Sequence, residues 1–222
     1  VHYCAESKHG PYWSISTYAP IVAIEANPEV FSSSHHNGVT SITIAERPPG
    51  KGFPNFIRMD APEHGEQRKV VTPAFTPSEM LRMSIDIRKR TGAVLDALTK
   101  GKAFDWVDRV SVELTTQMLA ILFDFPWEDR RLLPFWSDVA GNIEEFNAPA
   151  AQETRLRHLG EMGAYFQRLW DLRVSGEDRP DLLTRMIRSP VTGQMSMNEF
   201  IGALTLLIIG GNDTTRNTMS AL

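Results

Sequence analysis

An uncharged, strongly apolar run occupies residues 200–209 and is broken only by one glycine and one threonine. A helix that is apolar on all sides is typical of the centre of a sizeable protein. A membrane span is the alternative, but it needs about 18 or more consecutive apolar residues. Here the sequence G-G-N-D, which begins at Gly210, ends the run earlier. The stretch 197–222 is therefore predicted to be a buried central helix.

The segment 210–215, G-G-N-D-T-T, allows two interpretations. Glycine inside a helix costs about 1 kcal/mol relative to alanine, so the pair of glycines can end the helix and open a turn. Alternatively, the helix continues and bends at its threonines, which return hydroxyls to carbonyls one turn back. In that case small residues, a carboxylate and hydroxyls lie together inside a core helix, equipped for proton transfer. The residues alone leave both interpretations open.

An apolar helix followed by G-G-N-D-T-T resembles the oxygen-binding segment of the cytochrome P450 monooxygenases, whose usual form is Ala/Gly-Gly-x-Asp/Glu-Thr-Thr/Ser. The resemblance implies that Asp213 and Thr214 are the catalytic pair that relays protons to dioxygen at the haem iron. It also implies that Gly210 and Gly211 bind the cofactor, because they let the oxygen and the haem face approach the helix backbone.

A second motif, M-D-A-P-E-H-G-E-Q-R-K-V-V-T-P-A-F-T-P, occupies residues 59–77. Asp60 is predicted to be the N-cap of a helix, with Pro62 in its first turn and Glu63 completing a capping box. Pro73 is predicted to end the helix early.

His64 and Arg68 are four residues apart, so they share one face of this helix. Such a pair can donate hydrogen bonds to two carboxylates, and it can equally be a solvated polar surface. The motif is similar to the haem-propionate helix of bacterial P450s, nearly position for position. The resemblance implies that His64 and Arg68 bind the propionates of haem b.

The remaining sequence predicts a mainly α fold with a small N-terminal β region. Apolar–polar alternation at 12–18 indicates a strand, with 1–4 as its hairpin partner. The polar stretch 32–56 predicts a long loop, in which His35 and His36 are solvated rather than metal ligands.

Further helices are predicted at 20–26, 78–99, 107–125, 128–143, 151–174 and 181–188. Apolar spacing predicts core-facing positions in the second and third of these: Met80, Leu81, Ile85, Ile87, Val94, Leu95, Leu98, Val110, Leu114, Met118, Ile121 and Leu122. Arginines of the fifth are interpreted as a solvated face: Arg155, Arg157, Arg168 and Arg173.

Composition adds constraints on partners and location. A formal charge of −4 gives no reason to expect nucleic acid or an anionic membrane as partner. The single cysteine, Cys4, excludes an intrachain disulfide framework and suits a cytoplasmic protein. No secretory signal opens the chain and no repeats occur, which favours one domain.

Both ends of the chain are interpreted as truncated. The resemblance places the E-x-x-R helix and the loop with the iron-ligating cysteine beyond Leu222, and Cys4 lies in no such loop. Residues 1–222 are therefore predicted to be the N-terminal part of a single haem-thiolate domain with no metal ligand of its own. This part alone is expected to be inactive.

Several stretches further resemble the soluble bacterial alkane and fatty-acid terminal hydroxylases, among them V-H-Y-C-A-E-S, F-I-R-M-D-A-P-E-H and L-L-I-I-G-G-N-D-T-T-R-N-T-M-S. This resemblance covers essentially the whole chain. It implies insertion of one oxygen atom from O2 into a terminal C–H bond, with electrons from NAD(P)H through a ferredoxin and its reductase. Two alternatives remain: a non-catalytic helical binding module, and a P450 acting on another hydrophobic substrate such as a terpenoid.

Overall fold

The computed structural model describes residues 1–7, 10–34, 53–141 and 149–221, with side chains from 151 onward in the last range. It is mainly helical with one small sheet, as predicted. Strand β1 (His2–Cys4) pairs antiparallel with β2 (Tyr12–Ser14). The predicted loop histidines, His35 and His36, and most of the junction at 146–149 lie outside the described residues.

The helices described are α1 (Tyr18–Glu25), α2 (Glu63–Val71), α3 (Pro77–Asp96), α4 (Glu113–Leu122), α5 (Leu132–Gly141), α6 (Pro149–Val174), α7 (Leu182–Arg188) and α8 (Met197–Ala221). Short 3-10 turns occupy Phe56–Arg58 and Thr72–Phe75, and a π-helical segment, Val107–Val112, leads into α4. Helix α2 gives way to a 3-10 turn before Pro73, as predicted. In the described ranges no helix is long and apolar enough to cross a bilayer.

Helix α8 runs from Met197 to Ala221 without a break. Gly210 and Gly211 lie inside it, and neither has a positive φ. The hydroxyl of Thr214 donates to the carbonyl of Gly210 (3.1 Å), and that of Thr218 donates to the carbonyl of Thr214 (2.8 Å). The interpretation of this segment as a helix C-terminus is therefore wrong, and the continuing helix is correct.

The core forms where α8 packs against α4, α5, α6 and the π-helical segment. Buried α8 residues lie mainly in its first half: Phe200, Ile201, Gly202, Ala203, Leu204, Ile208 and Asn212. Around them pack large buried side chains of the neighbouring helices, including Phe123, Leu133, Trp136, Met162 and Phe166. The predicted central position of α8 is confirmed.

The predicted core face of α3 is largely exposed. Leu81 and Ile85 are 72% and 70% exposed, and only Val94 of the predicted set is buried. The reason is that the main neighbours of α3 in the described part of the chain, namely α4, the π-helical segment and a 3-10 turn, cover only part of its surface. Most of its circumference therefore has no neighbour there.

The buried face of α4 also differs from the prediction. Val110 of the preceding π-helical segment is buried as expected, but the other buried positions in that segment and in α4 are Ser111, Thr115, Thr116, Leu119 and Ala120. The predicted leucines, isoleucine and methionine are only half-buried. A π-helical turn changes the angular register relative to a 3.6-residue repeat, which brings small residues onto the buried face.

Arg173 is not part of a solvated face. It is buried, donates to the carbonyl oxygen of Phe123 (3.2 Å) and lies 3.4 Å from Asp181 Oδ1. Asp181 in turn caps α7 by accepting from the backbone N–H of Thr184. The guanidinium thus joins the ends of three helices, whereas Arg157 and Arg168 are exposed as predicted.

We predict opposite effects of two alanine substitutions in α6. A Cβ at Gly163 would lie 2.7 Å from Ile201 Cγ1 in the buried core, whereas one at Gly160 meets no atom within 4 Å. Gly163→Ala should therefore lower the free energy of unfolding by about 1–3 kcal/mol through overpacking. Gly160→Ala should raise it by about 0.5–1 kcal/mol through helix propensity. Urea denaturation measures both, and equal stabilities would contradict the α6–α8 packing.

Candidate functional site

The second half of α8 has one open side and one packed side. An ideal Cβ at Gly210 would meet no atom within 4 Å, and Thr214, one turn further on, is exposed. A Cβ at Gly211 would lie 2.7 Å from Leu119 Cδ2 of α4. The two glycines therefore face different sides: Gly210 leaves the open face bare, and Gly211 permits close packing of α4. Cofactor binding by either glycine stays a prediction.

Asp213 lies between α8 and α5. Its Oδ1 accepts hydrogen bonds from Ser137 Oγ (2.9 Å), Arg216 Nη2 (3.0 Å) and Asn212 Nδ2 (3.3 Å). Ser137 is fully buried, whereas the carboxylate side chain is 24% exposed. The predicted acid is thus a partly buried group with donors from two helices.

Arg216 is itself held from α5. Its Nη1 lies 2.8 Å from Asp138 Oδ1, and its side chain is only 17% exposed. Asp138, Arg216 and Asp213 therefore form a row of alternating charges across the α5–α8 interface. The Arg216–Asp213 pair is partly buried on both sides and is screened less by salt than a surface pair, whereas Asp138 is exposed.

Asn212 connects the acid to α4. It is fully buried, with Thr115 Oγ1 2.8 Å from its Oδ1 and its own Nδ2 directed to Asp213. Both ends of the amide are thus used, as a buried polar group requires. Asn212, which occupies the unspecified position of the G-G-N-D-T-T segment, therefore has a structural role in this chain.

Thr214 lies on a different side of α8 from Asp213. Adjacent residues of an α-helix are about 100° apart around its axis. The Thr214 hydroxyl is exposed and bonds the Gly210 carbonyl, while the Asp213 carboxylate faces α5. The two residues of the predicted catalytic pair are adjacent in the sequence, but the structure places their side chains on different surfaces of the helix.

His64 and Arg68 share one face of α2, as predicted. The His64 ring is half-buried, with its centroid 6.2 Å from that of Phe56. Arg68 is exposed, and within the described ranges no side chain or carbonyl of the protein binds its guanidinium. No hydrogen bond links this pair to the α8 residues in the described part of the chain. An exposed guanidinium of this kind is available to an anionic group.

The predicted capping of α2 is wrong. The helix begins at Glu63 after Pro62, and no side chain caps it. The carboxylate of Asp60 instead accepts hydrogen bonds from the Ser32 hydroxyl and the Ser33 backbone N–H. The Ser32 hydrogen bond, more than any other contact, holds the pKa of Asp60 below its usual range. The backbone carbonyl of Asp60 does accept from the helix N–H of His64 (2.9 Å), but its carboxylate is engaged by the serines.

Sequence analysis did not identify the partners of Asp213. Arg216 follows the acid by three residues, and this helical spacing is a usable signal for an ion pair. Ser137 and Asp138 belong to α5, and Ser137 lies 76 residues before the acid in the sequence. No local pattern marks them, because only the packing of α5 on α8 brings them to the site.

No protein-family model matches the chain. Linalool 8-monooxygenase of Pseudomonas putida is 29% identical to it over 228 residues, which is 99% of this chain and 56% of that protein. A steroid C26-monooxygenase of Mycolicibacterium smegmatis is 27% identical over 214 residues, covering 94% and 49%. The chain thus spans about half the length of these relatives.

Two solved structures are similar over the whole chain. Cytochrome P450-153 from Novosphingobium aromaticivorans has a TM-score of 0.87 and 49% identity, covering 99% of this chain and 54% of that one. CYP153D17 from Sphingomonas sp. PAMC 26605 also has a TM-score of 0.87, with 54% identity and coverages of 100% and 55%.

We predict that the link between α4 and Asn212 contributes to stability. Thr115→Val should lower the free energy of unfolding by about 1–3 kcal/mol, because it leaves the buried Asn212 Oδ1 without its donor. Thr91→Val is the control, since that hydroxyl donates only to its own helix at Ile87. It should change the free energy by less than about 0.5 kcal/mol. Similar values for both variants in urea denaturation would contradict the link.

Proposed function

The chain belongs to the cytochrome P450 superfamily, and on that premise we propose that it is the N-terminal part of a haem-dependent monooxygenase. The reaction is insertion of one oxygen atom from O2 into an aliphatic C–H bond. The observation that supports this proposal is the unbroken α8, in which Gly210 leaves bare backbone beside the exposed Thr214 hydroxyl.

The residues present fit haem b. Arg68 offers an exposed guanidinium that no described group of the chain binds, and His64 lies on the same face of α2. In this proposal the two side chains hold the propionates, and Gly210 lets the cofactor approach α8. When bound, the haem would supply dioxygen binding and one-electron chemistry.

The chain's own residues supply protons. Thr214 Oγ1 lies on the open face; turned away from the Gly210 carbonyl, its hydroxyl would donate a hydrogen bond to bound oxygen as well as accept one. The Asp213 carboxylate takes up protons from water and passes them on, as a general acid–base group. These roles require an acid connected to solvent, and the partial exposure of Asp213 is consistent with that.

For the substrate, we propose a medium-chain alkane or fatty acid that is hydroxylated at its terminal carbon. Leu204 and Ile208 are buried in the core, whereas Leu206 and Ile209 are half-buried and leave apolar surface before Gly210. Electrons would come from NAD(P)H through a ferredoxin and its reductase, in the cytoplasm. A terpenoid is the second candidate, favoured by the name of the 29% identical linalool 8-monooxygenase.

The reduced, carbon monoxide-bound spectrum of the protein extended past Leu222 tests the proposal. A Soret band at the wavelength that names the family is the expected result, since only thiolate-ligated haem gives it. A folded protein without haem absorbance would instead favour a non-catalytic helical module.

We predict that Arg68→Ala lowers the haem content of the extended protein, whereas Lys69→Ala, the adjacent cation, does not. A propionate loses a charge-assisted hydrogen bond only in the first variant, and such bonds contribute about 1.5–3 kcal/mol. Haem per polypeptide, measured by absorbance after gel filtration, distinguishes the two. Equal haem content would remove Arg68 from the cofactor site.

We predict separate kinetic effects for the catalytic pair. Thr214→Ala should lower the product formed per NADH consumed and release hydrogen peroxide, because the proton donor on the open face is lost. Asp213→Asn should lower kcat by about 100-fold or more, because the acid–base group is lost. Thr218→Ala is the control, since that hydroxyl makes the same type of bond one turn further along α8. Unchanged coupling and rate in both test variants would overturn these roles.

A further inference from the structure

The two carboxylate oxygens of Asp213 have different surroundings. Oδ1 is the acceptor of all three hydrogen bonds, from Ser137, Arg216 and Asn212. In the described part of the chain no hydrogen bond reaches Oδ2. Gly141 of α5 lies beside Oδ2, which would be the nearest atom, at 3.0 Å, to an ideal Cβ at that glycine. One oxygen thus accepts three hydrogen bonds, and the other accepts none in the described part of the chain.

The saturation of Oδ1 is rigid because its donors are fixed. Ser137 is fully buried in the α5–α8 interface, so its hydroxyl has little room to move. Arg216 is held from its other side by Asp138 at 2.8 Å. Asn212 is fully buried, with Thr115 at its opposite end. These donors hold Oδ1 and thereby set the rotation of the carboxylate about its Cβ–Cγ bond.

The residue of α5 beside Oδ2 is a glycine. Gly141 follows Ser137 by four residues, so the two lie on the same face of α5 toward α8. A separation of 3.0 Å is tighter than most real Cβ contacts. Any side chain at this position would press on Oδ2 or cover it. The same turn of α5 thus supplies a donor for one oxygen and, at Gly141, places no side chain against the other.

We infer that Ser137, Arg216 and Gly141 are positioning residues for Asp213, and that Oδ2 is the oxygen through which protons pass. This inference rests on the proposed function of Asp213 as an acid–base group. A water molecule that carries a proton from bulk solvent gives it to Oδ2, and the carboxylic acid then releases a proton to an acceptor on the open face. The carboxylate is regenerated and the water is left neutral, so the net change is the transfer of one proton from solvent.

The serine position gives the sharpest test in the haem-loaded extended protein. Ser137→Ala should lower kcat about tenfold, since a misplaced catalytic group costs rate even when binding is intact. KM should stay unchanged, the product formed per NADH should fall, and the solvent deuterium isotope effect on kcat should rise. Ser137→Thr keeps a hydroxyl and should restore kcat, the product formed per NADH and the isotope effect. Ser84→Ala, an exposed serine of α3, is the control.

The glycine position gives an independent test. Gly141→Ala should raise the solvent isotope effect and lower coupling while the carbon monoxide spectrum and KM stay normal. If this variant fails to retain haem, the comparison of Ser137→Ala with Ser137→Thr decides. Wild-type isotope effect and coupling in Ser137→Ala, with uncoupling preserved in Thr214→Ala, would overturn the positioning roles alone. Absence of the thiolate-haem band in the unmodified extended protein would overturn the proposed function itself.

Discussion

The fold depends on close approach of other chain segments to α8 at positions without a side chain. At Gly202 the carbonyl oxygen of Pro54 would lie 1.9 Å from an added Cβ, so backbone contacts backbone there. Gly211 receives Leu119 of α4, and Gly163 of α6 receives Ile201 of α8. Each glycine costs about 1 kcal/mol of helix propensity. The dense packing that it permits offsets this cost, because interiors tolerate few voids.

Polar groups at the helix junctions fix the orientation of these packed helices. Glu113 at the start of α4 lies 3.2 Å from Arg130 and 2.7 Å from Arg131. Burial alone would raise the pKa of Glu113, but the Gln117 hydrogen bond and both arginines bring it below its usual range. This stabilisation is present above the carboxyl's unfolded pKa and is lost as the pH falls through its lower folded value. Charges thus join α4 to the segment that precedes α5.

Sequence patterns predicted where the helices lie better than they predicted which helices pack against one another. The spacing of His64 and Arg68 placed them on one helical face, and the uncharged run placed α8 in the core. The sequence did not decide whether the helix ends at Gly210 or continues through it. The same residues serve as a helix cap or as a packing surface, depending on what surrounds them. The exposed α3 face and the buried Arg173 were mispredicted for a related reason. The apolar or charged character of a helix face indicates whether it can be buried, whereas tertiary contacts decide whether it is buried.

The partners of the acid show the same limit at the site. Asp213 was identified by its place in a short motif, but its donor Ser137 belongs to another helix and has no motif of its own. The buried amide of Asn212 occupies a position that the motif leaves unspecified. Such second partners follow from helix packing, so they become visible only when the packing is known.

The hydroxyls along the second half of α8 affect the hydration of its open face. The carbonyls of Gly210 and Thr214 each accept a hydrogen bond from the hydroxyl one turn later, that of Thr214 and that of Thr218. These oxygens therefore depend less on water than bare helix carbonyls do, and dehydrating a satisfied polar group costs less than dehydrating an unsatisfied one. An apolar molecule can cover this face at a low desolvation penalty, although the surface is lined with threonine.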